Sequence, residues 1–358
     1  MKSDIYRIAI IGTGFVGKKY IPVFYMNSKL QLQVICDSDR NSAEVLRSRY
    51  GFKRCETNWQ NVVECEDVDI VCICVPNNAH FKIATEAAKN GKHIICEKPL
   101  GLNGEESVSL AQLVKENNVI ASCSYNLIHI PAIRYAKRII ESGELGELVC
   151  FRGSYDNDRL IDPNAIFEWR MLKENTAGGS LSDLAINILS ISQYLFGDIK
   201  SVCGMTEIIH QTRKDINGNI MEVENDDIAQ FIFQYHSRAM GYISSNRVAP
   251  GSKQDMQFGA QLTRGTIKFS LERMNEIQIY RYGDSGFSTI ISDENGWFNI
   301  GYEDLKTLDA NSFMKNLTNG TQIYTDFVFA AKIDNVIDGV LKSAETKQWV
   351  DIKRIPWH

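Results

Sequence analysis

The sequence predicts an α/β protein, with a doubly wound parallel sheet at its N-terminal end and an α+β domain with a mainly antiparallel sheet after it. Three observations predict this. An apolar strand runs through a glycine-rich turn into a helix near the start of the chain. Strand and helix patterns then alternate to about residue 124. Beyond that point strand patterns follow one another with short turns between them.

Arg7 to Ile11 is an apolar run suited to a strand buried on both faces. It leads into Gly12-Thr13-Gly14-Phe15-Val16-Gly17, a complete G-x-G-x-x-G, and a helix pattern over 18–25. A second strand, Leu32 to Cys36, ends on Asp37. In such a βαβ unit Gly12 permits the tight turn, Gly14 lets backbone approach a pyrophosphate, and Gly17 lets helix and strand pack closely. The helix N-terminus offers free N–H groups and a positive dipole end to phosphate. Asp37 lies about 20 residues past Gly17, where its carboxylate can accept from ribose hydroxyls. The same charge repels a 2′-phosphate, which favours NAD, while nearby Arg40 softens the preference and leaves NADP open.

The pattern continues with a helix over 42–50, a strand from Val68 to Val75, the Pro76-Asn77-Asn78 loop, and an Ala-rich helix over 80–90. Strand His93 to Cys96 ends in Glu97-Lys98-Pro99; a helix over 105–117 and a strand over 119–124 follow. Ligands of such sheets sit beyond the carboxyl ends of the strands. Those ends carry residues 12–17, Asp37, Val75-Pro76-Asn77, Glu97-Lys98 and Tyr125-Asn126, with His80 placed to cap its helix or touch a cofactor. With a boundary at 124, residues 1–124 form a nucleotide-binding domain and 125–358 a second domain. The latter has helices over 131–142, 181–196 and 324–344, and strands over 148–155, 199–208, 228–235, 240–245, 265–271, 276–282 and 349–350.

At 358 residues with 44% hydrophobic and 23% charged content the chain has room for two globular domains. A net charge of −5 gives no reason to expect nucleic acid or an anionic membrane as partner. Nine cysteines without paired spacing suit a reducing cytosol, and no Cys/His cluster has zinc spacing, so no metal is expected. No apolar run has membrane-spanning length and no signal-peptide pattern opens the sequence, which together point to a cytoplasmic protein.

Pro99 disfavours helical dihedrals at Lys98 and holds the chain extended there, aiming Lys98 from a strand end. A lysine so placed can hold a substrate hydroxyl or act as a general acid. In Gly178-Gly179-Ser180-Leu181-Ser182-Asp183-Leu184-Ala185-Ile186-Asn187, Asp183 and Asn187 are four apart and share a face. The glycines leave that helix start open to a ligand. Asp183 reads equally as a group orienting Lys98 or a hydroxyl, and as a first-turn acid complementing the dipole. Asn126, His129, Tyr155, Asp156, Trp169, Arg170 and Arg247 are, as a group, aromatic and polar residues of the kind that bind a polyol or sugar, while each taken singly reads first as structural, His129 as a satisfied histidine before a catalyst.

Together these residues resemble the Gfo/Idh/MocA family, the glucose–fructose oxidoreductase and inositol dehydrogenase group. The resemblance is carried by Ile10 to Gly14, Val75-Pro76-Asn77 with His80, Glu97-Lys98-Pro99-Leu100, Pro131-Ala132 with Ser142 to Gly146, Gly178-Gly179 with Asp183, and Ser245 to Ala249. It implies a Rossmann domain, a second domain with a large open sheet, a nicotinamide cofactor, and reversible oxidation of a sugar or polyol hydroxyl. Homodimers or homotetramers formed through the open sheet are also implied. Lys98 and Asp183 match catalytic positions. The cofactor would be held by Gly12, Thr13, Gly14, Phe15, Val16, Asp37, Val75, Pro76, Asn77, His80, Glu97, Lys98 and Asn126. The substrate would be held by Lys98, Asn126, Tyr155, Trp169, Arg170, Asp183 and Asn187. Asn187 stands where many members have a histidine that accepts the hydroxyl proton, and an amide cannot be a general base. Ile128 stands where an arginine is common. A weakly catalytic NAD-binding sensor and an NAD-dependent glycosidase are the alternatives.

Overall fold

The computed structural model describes residues 5–291, 299–321 and 323–355. The chain forms two compact units, Met1–Asn126 with Tyr302–Ala331, and Leu127–Gly301 with Lys332–His358. A single cut near residue 124 puts 302–331 with the second domain; in the structure that stretch packs with the first.

In the first unit β1 (Tyr6–Ile11), β2 (Leu30–Cys36), β3 (Arg54–Glu56), β4 (Ile70–Ile73), β5 (His93–Cys96) and β6 (Ala121–Cys123) form one sheet in the order β3-β2-β1-β4-β5-β6. All pairings are parallel. Ile8 to Ile11 and all of β4 are buried because helices cover both faces, which is why these strands read as unbroken apolar runs. The order reverses between β1 and β4, so the loops leaving those strands diverge and open a crevice. The first helix, Phe15–Tyr25, starts within the glycine motif. Helix Leu305–Asn319, absent from the sequence reading, packs on Phe15–Tyr25, and its Ala310, Phe313 and Met314 join the core of Ile8, Ile10, Tyr20 and Phe24. Its few apolar residues are spread among polar ones, which weakens the periodic signal.

The second unit is built on a nine-stranded sheet. Its strands are β7 (Leu148–Asp156), β8 (Ile199–Glu207), β11 (Ile228–Tyr235), β12 (Met240–Asn246), β13 (Asp255–Leu262), β14 (Gly265–Ser270), β15 (Glu276–Arg281), β16 (Ser288–Ile291) and β17 (Val350–Asp351). A separate hairpin is made of β9 (Thr212–Lys214) and β10 (Ile220–Glu222). The order is β16-β15-β14-β13-β7-β12-β11-β8-β17, antiparallel except for β7 with β12. Central β13 is a strand that the sequence reading lacked. Met256, Phe258, Ala260 and Leu262 alternate inward, but Gln257, Gly259 and Gln261 between them mimic a loop. On the inner face Phe151, Phe258 and Phe269 stack at 5.5 and 5.6 Å, and helix Ile186–Phe196 packs over β7 and β13. The expected single helix over 181–196 is two pieces, a π-helical turn Leu181–Ala185 and the α-helix Ile186–Phe196.

Candidate active site

In the first unit the three motif glycines do separate jobs. Gly12 has φ +99°, and a Cβ there would stand 2.4 Å from the Cys74 carbonyl oxygen, so the turn lies directly against the end of β4. A Cβ on Gly17 would meet the Gly12 carbonyl oxygen at 2.0 Å, so the helix closes onto the turn. Gly14 has nothing within 4 Å of its virtual Cβ. It is the N-cap of Phe15–Tyr25 and offers no side-chain cap, which leaves the first-turn N–H groups facing that open space. Phe15 is exposed and Val16 half-buried at the rim. This cradle fits a pyrophosphate.

Asp37 leaves β2 beside the same turn. Its Oδ2 accepts from the Thr13 N–H and Oγ1, both at 2.6 Å, and its Oδ1 from the Asp39 N–H at 3.0 Å. Burial pushes the carboxyl up, but hydrogen bonds from Thr13 and Asp39 outweigh it and hold the group below its ordinary value. A fixed, ionised acid at this point suits ribose hydroxyls and repels a 2′-phosphate.

His80 differs from expectation. It is fully buried; its ring nitrogens lie 2.9 Å from the Pro99 carbonyl and 3.0 Å from the Val75 carbonyl, and the helix cap is Ala79 without a side-chain bond. It braces the loops after β4 and β5 from a fully buried position. Pro76 is exposed, Val75 half-buried, and Asn77 buried at the start of the next turn. Sheet pairing continues to the end of β5, where the Glu97 N–H donates to the Ile73 carbonyl at 3.0 Å. The Lys98–Pro99 peptide is cis, and Lys98 is half-buried. The Glu97 carboxylate, expected against the cofactor, is ion-paired with Lys306. Between Ala121 and Ile130 every residue but the half-buried Asn126 is buried.

In the second unit every residue from Gly178 to Leu195 is buried except Asp183 and Asn187. The expected shared face therefore exists, and it is the one opening of an otherwise enclosed segment. Asn187 Nδ2 donates to the carbonyls of Asp183 at 2.9 Å and Leu184 at 3.2 Å. Both amide hydrogens are spent on the helix, so Oδ1 is the atom that side chain presents. Asp226 anchors the segment. Its Oδ1 accepts the Gly179 N–H at 2.8 Å, and its Oδ2 accepts Ser180 Oγ at 2.8 Å and the Leu181 N–H at 2.9 Å. The glycines were expected to leave room for a ligand; Gly179 instead makes room for Asp226, whose carbonyl would lie 1.8 Å from a Cβ.

Asn225 and Asp227 complete a buried anchor, unnoticed in the sequence although three adjacent polar residues before an alternating strand are a signal for side-chain caps. Asn225 Nδ2 donates to the Arg170 carbonyl at 2.9 Å, and Asp227 pairs with Arg247 at 2.8 Å. Trp169 and Arg170 are half-buried on the turn Trp169–Met171, with the guanidinium 4.3 Å from the ring centroid. One face of that indole is thus already covered. Tyr155 does not fit a substrate role as expected, being 4% exposed with its hydroxyl donating to Gln254. Arg247 and His129 are likewise buried, at 5% and 3% exposure. Asp156 is half-buried beside Asp255 on β13. No cluster of ligating side chains suited to a metal ion occurs among the described residues.

Residues 6–125 match the model of the oxidoreductase family with an NAD-binding Rossmann fold, and residues 133–268 match the GFO/IDH/MocA C-terminal domain. The chain belongs to the GFO/IDH/MocA family. This family member is an NAD-binding oxidoreductase. It is similar to levoglucosan dehydrogenase of Pseudarthrobacter phenanthrenivorans, with 29% identity covering 98% of each chain. It is also similar to the scyllo-inositol 2-dehydrogenase (NAD(+)) of Bacillus subtilis, with 28% identity covering 89% of each. A solved levoglucosan dehydrogenase in complex with NADH and L-sorbose superposes with a TM-score of 0.93 at 29% identity, covering 98% of this chain and all of that one. Among the described residues of this GFO/IDH/MocA chain, no helix is long and apolar enough to cross a membrane.

Proposed function

We propose that this protein transfers a hydride between a nicotinamide cofactor and a hydroxyl-bearing carbon of a sugar or polyol, with Lys98 moving the hydroxyl proton and Asp183 and Asn187 holding the substrate. The observation that carries the site assignment is the pair Asp183 and Asn187, the two openings in a segment buried from Gly178 to Leu195. Its sugar and polyol scope is supported by the relatives, which are named for levoglucosan and scyllo-inositol.

Gly12, Gly14 and the start of helix Phe15–Tyr25 would hold the pyrophosphate, and Asp37 the adenosine ribose; Val75 to Asn77 and Asn126 line the same strand ends. The cofactor, when bound, supplies the hydride acceptor or donor. Oxidation also removes a proton from the hydroxyl oxygen; Lys98 in its neutral amine form takes that proton and passes it to Asp183 or water, and in the reducing direction its ammonium gives a proton back. Asn187 offers an acceptor oxygen, so it lines up the hydroxyl without taking its proton. Asp183 accepts from the same or a neighbouring hydroxyl. Trp169 and Arg170 add an aromatic surface and donors.

The same reading makes the protein a cytosolic homodimer or homotetramer. Supporting it, Met205, Ile232, Met240 and Tyr242 lie on one face of the large sheet and are each at least 37% exposed. Light scattering after gel filtration reports the oligomer.

The deciding experiment is a panel of sugars, polyols and their acid derivatives, followed at the NADH absorbance band with NAD and NADP in parallel. NAD-linked turnover of one sugar class is expected. Lys98→Ala should abolish it and largely spare NAD binding. Silence across the panel in both directions, with NAD binding confirmed, would overturn the dehydrogenase reading. Release of free sugar without net NADH would replace it with the glycosidase.

A further inference from the structure

Glu97 joins the buried strand β5 to Lys98, and its carboxylate faces inward. Glu97 and Lys306 keep only 12% and 11% of their side chains exposed. Lys306 Nζ donates to Glu97 Oε1 and, at 3.4 Å, to the Tyr20 hydroxyl, and it stands 4.6 Å from the Tyr20 ring centroid. That hydroxyl donates to Asp309 Oδ2 at 2.7 Å and accepts from Ser124 Oγ at 2.5 Å. The network ties the glycine-loop helix, the ends of β5 and β6, and helix Leu305–Asn319 within the first unit. Burial alone pushes the Lys306 ammonium down; Glu97 and Asp309 outweigh it and hold it above its ordinary value. Such a group keeps its proton, so it acts by holding and not by exchange.

We infer that Lys306, braced by Tyr20, is a positioning residue for Lys98: its ammonium pins the Glu97 carboxylate and thereby the backbone that directs the Lys98 side chain. The inference rests on the reading of Lys98 as the residue that moves the proton. Displacing a reacting group by about 1 Å costs up to ~100-fold in rate, so a clamp one residue away has leverage.

The test combines Lys306→Met, Lys306→Arg and the charge-neutral pair Glu97→Gln with Lys306→Met. Lys306→Met alone leaves a buried carboxylate uncompensated; the double variant supplies a folded comparison if it fails to fold. Expected for the Met variants are an NAD dissociation constant within about threefold of wild type, kcat down by at least about tenfold, and a larger deuterium isotope effect on kcat as chemistry becomes limiting. Lys306→Arg should recover most of the rate. Crystals of the cofactor-free variants should show the fold intact and Lys98 displaced. A kcat within about threefold of wild type in a folded Met variant, with Lys98 in place, overturns the inference. If the wild type oxidises no sugar or polyol, the proposed function fails, and the position of Lys98 in the variant crystals decides the clamp by itself: displaced supports it, unmoved overturns it.

Discussion

The carbonyl oxygen of Asp226 lies 1.8 Å from where a Cβ on Gly179 would stand. No side chain can occupy that point without moving the backbone that carries Asp183 and Asn187. Gly178 differs, since a Cβ there meets only Asp226 Oδ1 at 3.4 Å and Ser182 at 3.6 Å. Gly179→Ala should therefore destabilise the protein by about 2 kcal/mol or more and impair substrate use, whereas Gly178→Ala should cost under about 1 kcal/mol. Urea unfolding of the two variants checks this; equal effects would refute the packing explanation.

The motif glycines separate in the same way. Gly14→Ala finds open space, so the variant should fold with wild-type stability; on the proposed placement of the pyrophosphate there, it should lose about tenfold or more in NAD affinity. Gly17→Ala collides with the Gly12 carbonyl and should lower the melting temperature before any ligand is added. Thermal scans with and without NAD distinguish the two.

Asn187 presents an acceptor that does not titrate. Asn187→Leu removes it at similar size, and kcat/KM for the sugar should fall by about tenfold, the value of one hydrogen bond to a substrate hydroxyl. Asn187→His should keep activity and add an ionisation near pH 6.5 to the rate profile. An unchanged kcat/KM in the leucine variant would remove Asn187 from the substrate site.

Asp156 and Asp255 face each other across β7 and β13. Burial and then Asp255 raise the Asp156 carboxyl, so the folded chain holds that proton to higher pH than the unfolded chain. The penalty is full above the folded value, fades as pH falls from there toward about 3.8, and is absent below it. Asp255→Asn should stabilise the protein by about 0.5 kcal/mol at pH 7 and by almost nothing at pH 3. Chemical unfolding at both pH values measures the difference.

His80 and His93 are both held below the ordinary imidazole value by burial. His93 Nδ1 also accepts the Ile120 N–H at 3.0 Å, which requires that nitrogen unprotonated. The unfolded chain therefore takes up these protons first. Stability should be full above about pH 6.5 and decline below it, and His93→Gln should flatten the decline. A slope of opposite sign between pH 7 and 5 would show that the histidines are charged in the folded state.

Local signals were legible because they are short in range. Gly12 to Gly17, Asp37 and Lys98 could be read from strand, turn and helix patterns, since their positions follow from the ends of elements fixed by periodicity. The pair Asp183 and Asn187 followed from helix spacing alone, although the first turn is π-helical. Tyr155, Arg247 and His80 read both as ligand groups and as structural ones, because polar and aromatic residues at strand ends look alike whether they face a cleft or the core. Their burial is set by neighbours far along the chain, Gln254 for Tyr155 and Asp227 for Arg247.

The sequence by itself determined the parallel sheet, its crevice and the acid that ends β2 beside the glycine turn, because each rests on contacts within a few tens of residues. Only the tertiary structure decided that helix Leu305–Asn319 returns to the first unit, that Lys306 pairs with Glu97, and that Asp226 caps the Gly179 segment. These are buried charged or polar groups that must find partners once removed from water, and the partner is chosen by packing between distant segments, which no local pattern encodes.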